Sequence, residues 1–238
     1  MKYLLTILLC LWSIPAFSAI NVFQHKGFGS SIANNSISVT FNPTGANDLI
    51  VVSLNIGGSP FISTMKDSSG NSYTQFPSAS YPSNQNYTYY IPHSTLGTTS
   101  ITATFTGTDS GKSEIEMWEV SGFFNAVPDV GNATITGVQS GGVATGLSLT
   151  TSGNYGFIVA ADTTNGTVTG NPAGGNAFTS GGDILDGEGF VSLVTSSTGT
   201  YNPAWTDSGS AFQNWEGAFM DNTTTAIQNA TIRNANIN

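Results

Sequence analysis

Short apolar segments recur along almost the whole chain, and each is bounded by clusters of glycine, asparagine, serine or proline. In Ser100–Phe105, apolar residues alternate with threonines, which is typical of a strand with one buried face. Leu49–Val52 is apolar at every position and indicates a central strand that is covered on both faces. No stretch shows helical spacing over a useful length. The pattern therefore predicts an all-β fold, an antiparallel β-sandwich.

The predicted strands recur in the same order in two parts of the sequence. The matching pairs are Ile37–Thr40 with Leu147–Thr150, Gly45–Val52 with Gly153–Ala160, Gly70–Thr74 with Gly175–Thr179, and Thr108–Phe123 with Thr206–Phe219. We expect one sandwich domain at 19–222, built from two similar halves at about 36–123 and 146–220. Two separate sandwiches are the alternative. A polar tail follows at 223–238.

The first eighteen residues have the features of a secretory signal peptide. Lys2 precedes the apolar run Tyr3–Trp12, and Ala16–Ser18 resembles a cleavage site. The apolar run is too short to cross a bilayer, and no transmembrane segment follows. Cys10, the only cysteine, lies within this segment, so the mature chain would contain no disulfide. We expect a secreted, extracellular protein.

Charged residues are scarce and mostly acidic. The chain has five lysines and arginines against fourteen aspartates and glutamates, with a formal net charge of −9. Binding to nucleic acid or to an anionic membrane depends on clustered basic side chains. The composition therefore excludes both as expected partners.

The densest run of carboxylates is EIEMWE, which contains Glu114, Glu116 and Glu119. Regular alternation would mix charged and apolar side chains on both faces of this strand. We therefore predict a β-bulge at Met117–Trp118 that turns all three glutamates outward and the apolar side chains inward. The second copy of the segment keeps only Trp215–Glu216, which favours a solvated acidic face on a repeated structural strand.

EIEMWE is also similar to the E-x-D-x-x-E motif of jelly-roll glycosidases of the laminarinase and lichenase type. The resemblance implies Glu114 as nucleophile, Glu119 as acid/base and Glu116 as the carboxylate between them. Retaining hydrolysis requires the two outer carboxyl groups about 5–5.5 Å apart. The sequence departs from the motif in its longer central residue and in having Lys112–Ser113, with no tryptophan, just upstream.

Aromatic side chains supply a different candidate site. Tyr87 and Tyr89 share one face of a predicted strand, opposite Tyr90, while Tyr201 and Trp205 lie in a loop-like stretch. Exposed aromatic rings stack on sugar rings, so Tyr87, Tyr89, Tyr201 and Trp205 are candidate ligand-binding residues. The alternative is that these rings fill the core.

Two acidic loops are candidates for a structural calcium ion, and the sequence indicates no other cofactor. Asp183, Asp186 and Glu188 lie close together in a glycine-rich loop, and Asp67–Asn71 offers spaced oxygen atoms. The second segment is equally typical of a hairpin turn. His25 and His93 are expected in loops. No G-x-S-x-G motif indicates a serine nucleophile.

Segments such as DSSGNSYT and EVSGF resemble the Gly/Ser/Thr-rich, jelly-roll-like β-sandwich modules of secreted bacterial and phage-associated proteins. The resemblance implies a role in binding or structure. We expect a non-enzymatic protein that binds a polysaccharide or cell-surface glycan, or that builds an extracellular structure. One alternative is a self-assembling fibre or matrix subunit that exchanges a terminal strand, Ile20–Gln24 or Ile227–Ile237, with another copy. The other is a retaining glycoside hydrolase that uses Glu114 and Glu119.

Overall fold

The computed structural model describes residues 19–58, 60–76, 84–138, 142–145, 148–153, 156–164, 179–182, 188–207 and 211–221. The predicted signal peptide (1–18), the tail (223–238), and Asp183 and Asp186 lie outside these residues. The described residues contain strands, turns and bends, and none of them belongs to a helix that could cross a membrane. The predicted all-β class is confirmed.

The first half of the chain forms two antiparallel sheets. The N-terminal sheet has the order β1-β8-β3-β6-β5, and the outer sheet has the order β2-β7-β4. The strands are β1 (Asn21–Ser30), β2 (Ser36–Thr40), β3 (Leu49–Gly57), β4 (Ile62–Asp67), β5 (Thr74–Gln75), β6 (Asn84–Ile91), β7 (Ser100–Phe105) and β8 (Ser113–Ser121). The chain crosses between the two sheets at every connection except β5–β6, and its first strand lies beside its last, as in a jelly roll.

The second half repeats this arrangement. Its strands are β9 (Ala126–Val138), β10 (Gly142–Thr145), β11 (Leu149–Thr150), β12 (Gly156–Thr164), β13 (Thr179–Gly182), β14 (Glu188–Thr195), β15 (Thr200–Tyr201), β16 (Ala204–Asp207) and β17 (Ala211–Asp221). The C-terminal sheet has the order β9-β17-β12-β14-β13, which repeats the N-terminal order strand for strand. The short pairs β10-β16 and β11-β15 cover its outer face. The prediction of two similar halves is confirmed.

The two five-stranded sheets pack face to face in the middle of the molecule. Leu49, Val51 and Trp118 of the N-terminal sheet form one apolar cluster with Phe157 and Phe219 of the C-terminal sheet. The opposite face of the N-terminal sheet packs on the outer sheet in a separate cluster. The N-terminal sheet is thus covered on both faces, and every residue of β3 is buried.

The stacking brings β1 over β13 and β14. Val22 and His25 of β1 line one groove together with Ser192 and Val194 of β14. At the other side of the stack, the ring of Tyr90 on β6 lies 5.2 Å from that of Phe219 on β17. The two sheets therefore run across the stack in opposite orders, and β1 and β9 lie at opposite sides of the molecule.

A buried carboxylate strand as the candidate functional site

Strand β8 carries three glutamates that are completely buried. Glu114, Glu116 and Glu119 each have 0% of their surface exposed. Pairing between β8 and β3 runs without a register shift from Leu49–Val120 to Asn55–Glu114. The bulge lies instead in the neighbouring strand β1, between Val22 and Gln24. The predictions of a bulge at Met117–Trp118 and of outward-facing glutamates are therefore wrong.

Regular alternation along β8 separates the glutamates. Glu119 lies on the face that Ile115 and Met117 turn toward the outer sheet. Glu114 and Glu116 lie on the opposite face, which carries Trp118 toward the C-terminal sheet. A retaining glycosidase needs two carboxyl groups directed at the same sugar. Glu114 and Glu119 point to opposite sides of a covered sheet and do not form that pair.

Glu119 is held by residues from β1 and from the loop before β3. Gln24 donates a hydrogen bond from its Nε2 atom to Glu119 Oε2 at 2.5 Å, and the Gly45 amide donates to Oε1 at 2.7 Å. Asp48 also contacts this carboxyl group. Burial raises the pKa of Asp48 from 3.8 to about 6, and its hydrogen bond to Glu119 and the charge of Glu119 act in the same direction. Asp48 therefore keeps its proton to a higher pH than an isolated carboxyl does, in a hydrogen bond with Glu119.

Glu116 pairs with a histidine on the edge strand. Its Oε2 atom contacts Nε2 of His25, while its Oε1 atom has no hydrogen-bond partner among the described residues. Burial raises the pKa of Glu116, and His25 opposes that shift. The imidazole stacks on Trp118 with 4.8 Å between ring centroids. His25 was predicted in a loop, and that prediction is wrong because β1 extends to Ser30.

A groove of about 350 Å³ opens beside this histidine between the two five-stranded sheets. Its walls come from β1, β8 and β14 and include Val22, His25, Trp118, Ser192 and Val194. Trp118 is only 1% exposed, so the indole supports the imidazole from below and offers no free ring face. The groove presents one imidazole, backed by a carboxyl, among mostly apolar side chains.

The turn that precedes β8 has a structural role. Asp109 is 4% exposed, and its Oδ1 atom accepts the amides of Asn34 and Gly111 at 2.7 and 3.1 Å. Its other oxygen accepts the hydroxyl of Ser113. Gly111 and Lys112 have positive φ values of 79° and 62°. The carboxylate of Asp109 therefore accepts hydrogen bonds from backbone amides around this tight turn and stabilises it.

The candidate aromatic residues lie mainly in the core. Tyr87 is 5% exposed, Tyr89 is 9% exposed and Trp205 is 1% exposed. The half-buried Tyr201 donates its hydroxyl to the Ser197 carbonyl at 2.7 Å. Tyr87 and Tyr89 do share a face opposite Tyr90, as predicted. Tyr87 and Trp205 present no open ring face for a sugar, which corrects their assignment as stacking residues.

Of the two candidate calcium segments, Asp67–Asn71 forms a hairpin turn. Asp67 Oδ1 accepts the amides of Ser69 and Asn71, both at 2.9 Å, and Oδ2 accepts the Asn71 side chain at 2.9 Å. These bonds are those of an Asx turn. In the other segment, Glu188 begins β14, and its side chain lies outside the described residues together with Asp183 and Asp186. Calcium binding there stays a prediction.

The fold is that of a jelly-roll-like β-sandwich protein. Its candidate site consists of buried glutamates on β8 that contact side chains of the neighbouring strand β1. No protein-family model and no curated protein matches the chain. Among solved structures, the chain is similar to the STIV MCP, with 7% identity and a TM-score of 0.27 over 87% of this chain and 98% of that chain. It is also similar to a chain in the atomic structure of Sulfolobus turreted icosahedral virus, with 10% identity and a TM-score of 0.23 over 90% and 96% of the two chains. Likeness at this level carries no argument about function, and the resemblance to glycosidases is unsupported.

Proposed function

We propose that the chain is an exported, non-enzymatic structural subunit that associates with copies of itself by pairing sheet edges. The observation that carries this proposal is strand β1. It extends over ten residues, and within the described part of the chain it pairs on one side only, with β8. The other side of β1 offers a row of backbone donors and acceptors.

The side chains of β1 favour association. Phe23 is 65% exposed, Phe28 is 48% exposed and Val22 is 38% exposed, so the edge is both long and apolar. Monomeric proteins protect such edges with charges, prolines or very short strands. Strand β1 contains no proline, and Lys26 is its only lysine or arginine. The bulge at Phe23 disrupts pairing near one end only, which leaves Gln24–Ser30 able to accept another strand.

The buried carboxylates support a structural role for the same strand. Gln24 and His25 fix β1 to β8 through Glu119 and Glu116, which lie on opposite faces of the sheet. An edge strand held in this way is ordered before it meets a partner. Less conformational entropy is then lost on association.

Light scattering after gel filtration, followed by electron microscopy, tests this proposal on the secreted chain. We expect assemblies larger than a monomer. Phe28→Lys places a charge on the β1 edge and should shift the population at least about tenfold toward smaller species, which corresponds to about 1.4 kcal/mol. Leu96→Lys is the matched control, since Leu96 is 72% exposed on a turn that is not part of β1. A wild-type chain that stays monomeric at high concentration contradicts the proposal.

A second candidate function, glycan binding, is supported by a groove of about 250 Å³ that lies between β4 and β6 in the first half. Tyr73 and Tyr89, each 9% exposed, are among its lining residues, and Ser63, Lys66 and Ser72 supply polar groups. Aromatic rings beside hydroxyl and amine groups suit a sugar ring. A glycan array tests this function, with Tyr89→Ala as the variant expected to lose binding and Tyr201→Ala as the control. Equal binding by both variants contradicts a site in this groove.

A further inference from the structure

The molecule has a second long free edge, in strand β9. This strand extends over thirteen residues, and within the described part of the chain it pairs only with β17. Its position in the C-terminal sheet is that of β1 in the N-terminal sheet, because the two strand orders are equivalent. Pro128 and Asp129 protect the start of β9, whereas the sequence from Val130 to Val138 contains no charged residue and no proline.

The two free edges face in opposite directions. β1 lies over β13 and β14, and β6 lies over β17, which is the neighbour of β9. One lateral side of the stacked sheets therefore ends in β1, and the other ends in β9. A subunit with one adhesive edge on each side can add a neighbour at both.

Resting on the proposed function, we infer that β1 pairs antiparallel with β1 of a second copy and that β9 pairs antiparallel with β9 of a third. Each contact has its own twofold axis perpendicular to the sheets. A twofold contact is self-complementary and by itself closes a dimer. Two different twofold contacts on opposite sides of one subunit do not close, and their alternation produces a linear fibre.

The stacking of the sheets favours like edges over unlike edges. β1 belongs to the N-terminal sheet and β9 to the C-terminal sheet, and stacked sheets lie about 10 Å apart. Pairing β1 with β9 of a neighbour would offset that neighbour by one sheet spacing, perpendicular to the sheets. Pairing like edges keeps both layers continuous across the contact. It also uses antiparallel ladders, which are slightly more stable per residue than parallel ones.

The composition of β1 is compatible with a twofold axis through Gly27. In that register Lys26 lies opposite Phe28 of the other copy, and no like charges oppose each other. A lysine beside an aromatic ring is a favourable pair. Phe28 and Lys26 both lie on the sheet face that also carries Ile115 and Met117. Lys26 of one copy can therefore contact Phe28 of the other copy where the two β1 strands pair.

Three variants test the fibre model by light scattering and electron microscopy. Phe28→Lys blocks β1, Thr136→Lys blocks β9 opposite Gln213, and the third variant carries both changes. We expect open-ended fibres from the wild-type chain, dimers from each single variant and monomers from the double variant. Thermal melting checks folding. Gly27→Lys, at the proposed twofold axis, and Thr134→Lys serve as replacements if either first choice is unfolded.

The outcomes separate this inference from the proposed function. If each single variant yields monomers, the contact joins β1 to β9, so the like-edge inference is overturned while self-association stands. If the wild-type chain forms only a closed dimer, one edge alone is used and the fibre is overturned. A wild-type monomer overturns self-association itself. Leu96→Lys should form fibres like the wild-type chain.

Discussion

The buried carboxyl group of Glu116 contacts the imidazole of His25, which lies on the edge strand β1 and stacks on Trp118. On the opposite face of the same sheet, Gln24 donates a hydrogen bond to Glu119. Consecutive residues of β1 thus bind two buried carboxylates on different faces. The edge strand is fastened to the core by its side chains as well as by its backbone ladder.

The Glu116 and His25 pair predicts a non-additive effect on stability. His25→Ala leaves a fully buried carboxyl without its partner, which should lower the free energy of unfolding by about 3 kcal/mol. The double variant His25→Leu, Glu116→Met removes both polar groups and should be less destabilised than His25→Ala. Urea unfolding measures both values. Equal losses in the single and double variants would show that the contact itself contributes little.

The Asp48 and Glu119 pair predicts that stability falls as pH rises. Burial and Glu119 raise the pKa of Asp48 to about 6 from an ordinary value of 3.8. Between about pH 4 and about pH 6 the folded chain therefore holds a proton that the unfolded chain has released. This contribution is present below pH 4 and is lost by the time the pH passes about 6.

Urea unfolding at intervals across this pH range measures the effect. Asp48→Asn keeps a hydrogen-bond donor toward Glu119 but cannot titrate, so the slope of stability against pH should become shallower. The raised pKa of Glu116 acts with the same sign and leaves a residual slope. A wild-type chain that becomes more stable from pH 4 to pH 6 would contradict the assignment.

The strands and their repetition were predictable because alternation and turn residues are local signals. The prediction of Ser100–Phe105 coincides with β7, and the apolar run at Leu49 lies in the fully buried strand β3. The glutamates of β8 were misplaced because their partners come from distant segments. Gln24 and Asp48 lie 95 and 71 positions from Glu119, and no local pattern indicates that they meet it.

The repeated Trp-Glu segments do not lie at equivalent positions in the two halves. Val51 aligns with Val159 in the matching segments, and Trp118 lies opposite Val51. In the second half, however, Trp215 lies opposite Ala161, two residues further along β12. The two tryptophans therefore occupy ladder positions that differ by two residues. A shift of two residues keeps side chains on the same face of a strand. The apolar pattern of the two copies therefore stays similar despite the shift.

Trp118 is predicted to be among the most sensitive core positions because it packs between the two halves. Its ring centroid lies 6.4 Å from those of both Phe157 and Phe190. Trp118→Ala should lower the free energy of unfolding by about 3–5 kcal/mol, and Trp118→Phe should cost less because a smaller cavity remains. Leu96→Ala, at an exposed turn, should stay within about 0.5 kcal/mol of the wild-type value. A Trp118→Ala chain as stable as Leu96→Ala would show that the halves do not depend on this contact.

Asp109 is predicted to stabilise the fold through the turn before β8. Asp109→Ala removes the acceptor of two backbone amides and of the Ser113 hydroxyl at a buried position. Because each buried donor left unsatisfied costs about 1–3 kcal/mol, we expect a loss of at least about 2 kcal/mol. Asp109→Asn keeps one acceptor oxygen, so its stability should fall between that of the alanine variant and that of the wild-type chain.

Asp129→Ala is the control, since Asp129 accepts the amide of Ser152 at 2.7 Å at an exposed site, where water replaces the lost bond. Chemical unfolding should rank the three variants in that order, and equal losses in Asp109→Ala and Asp129→Ala would contradict the role assigned to the buried turn.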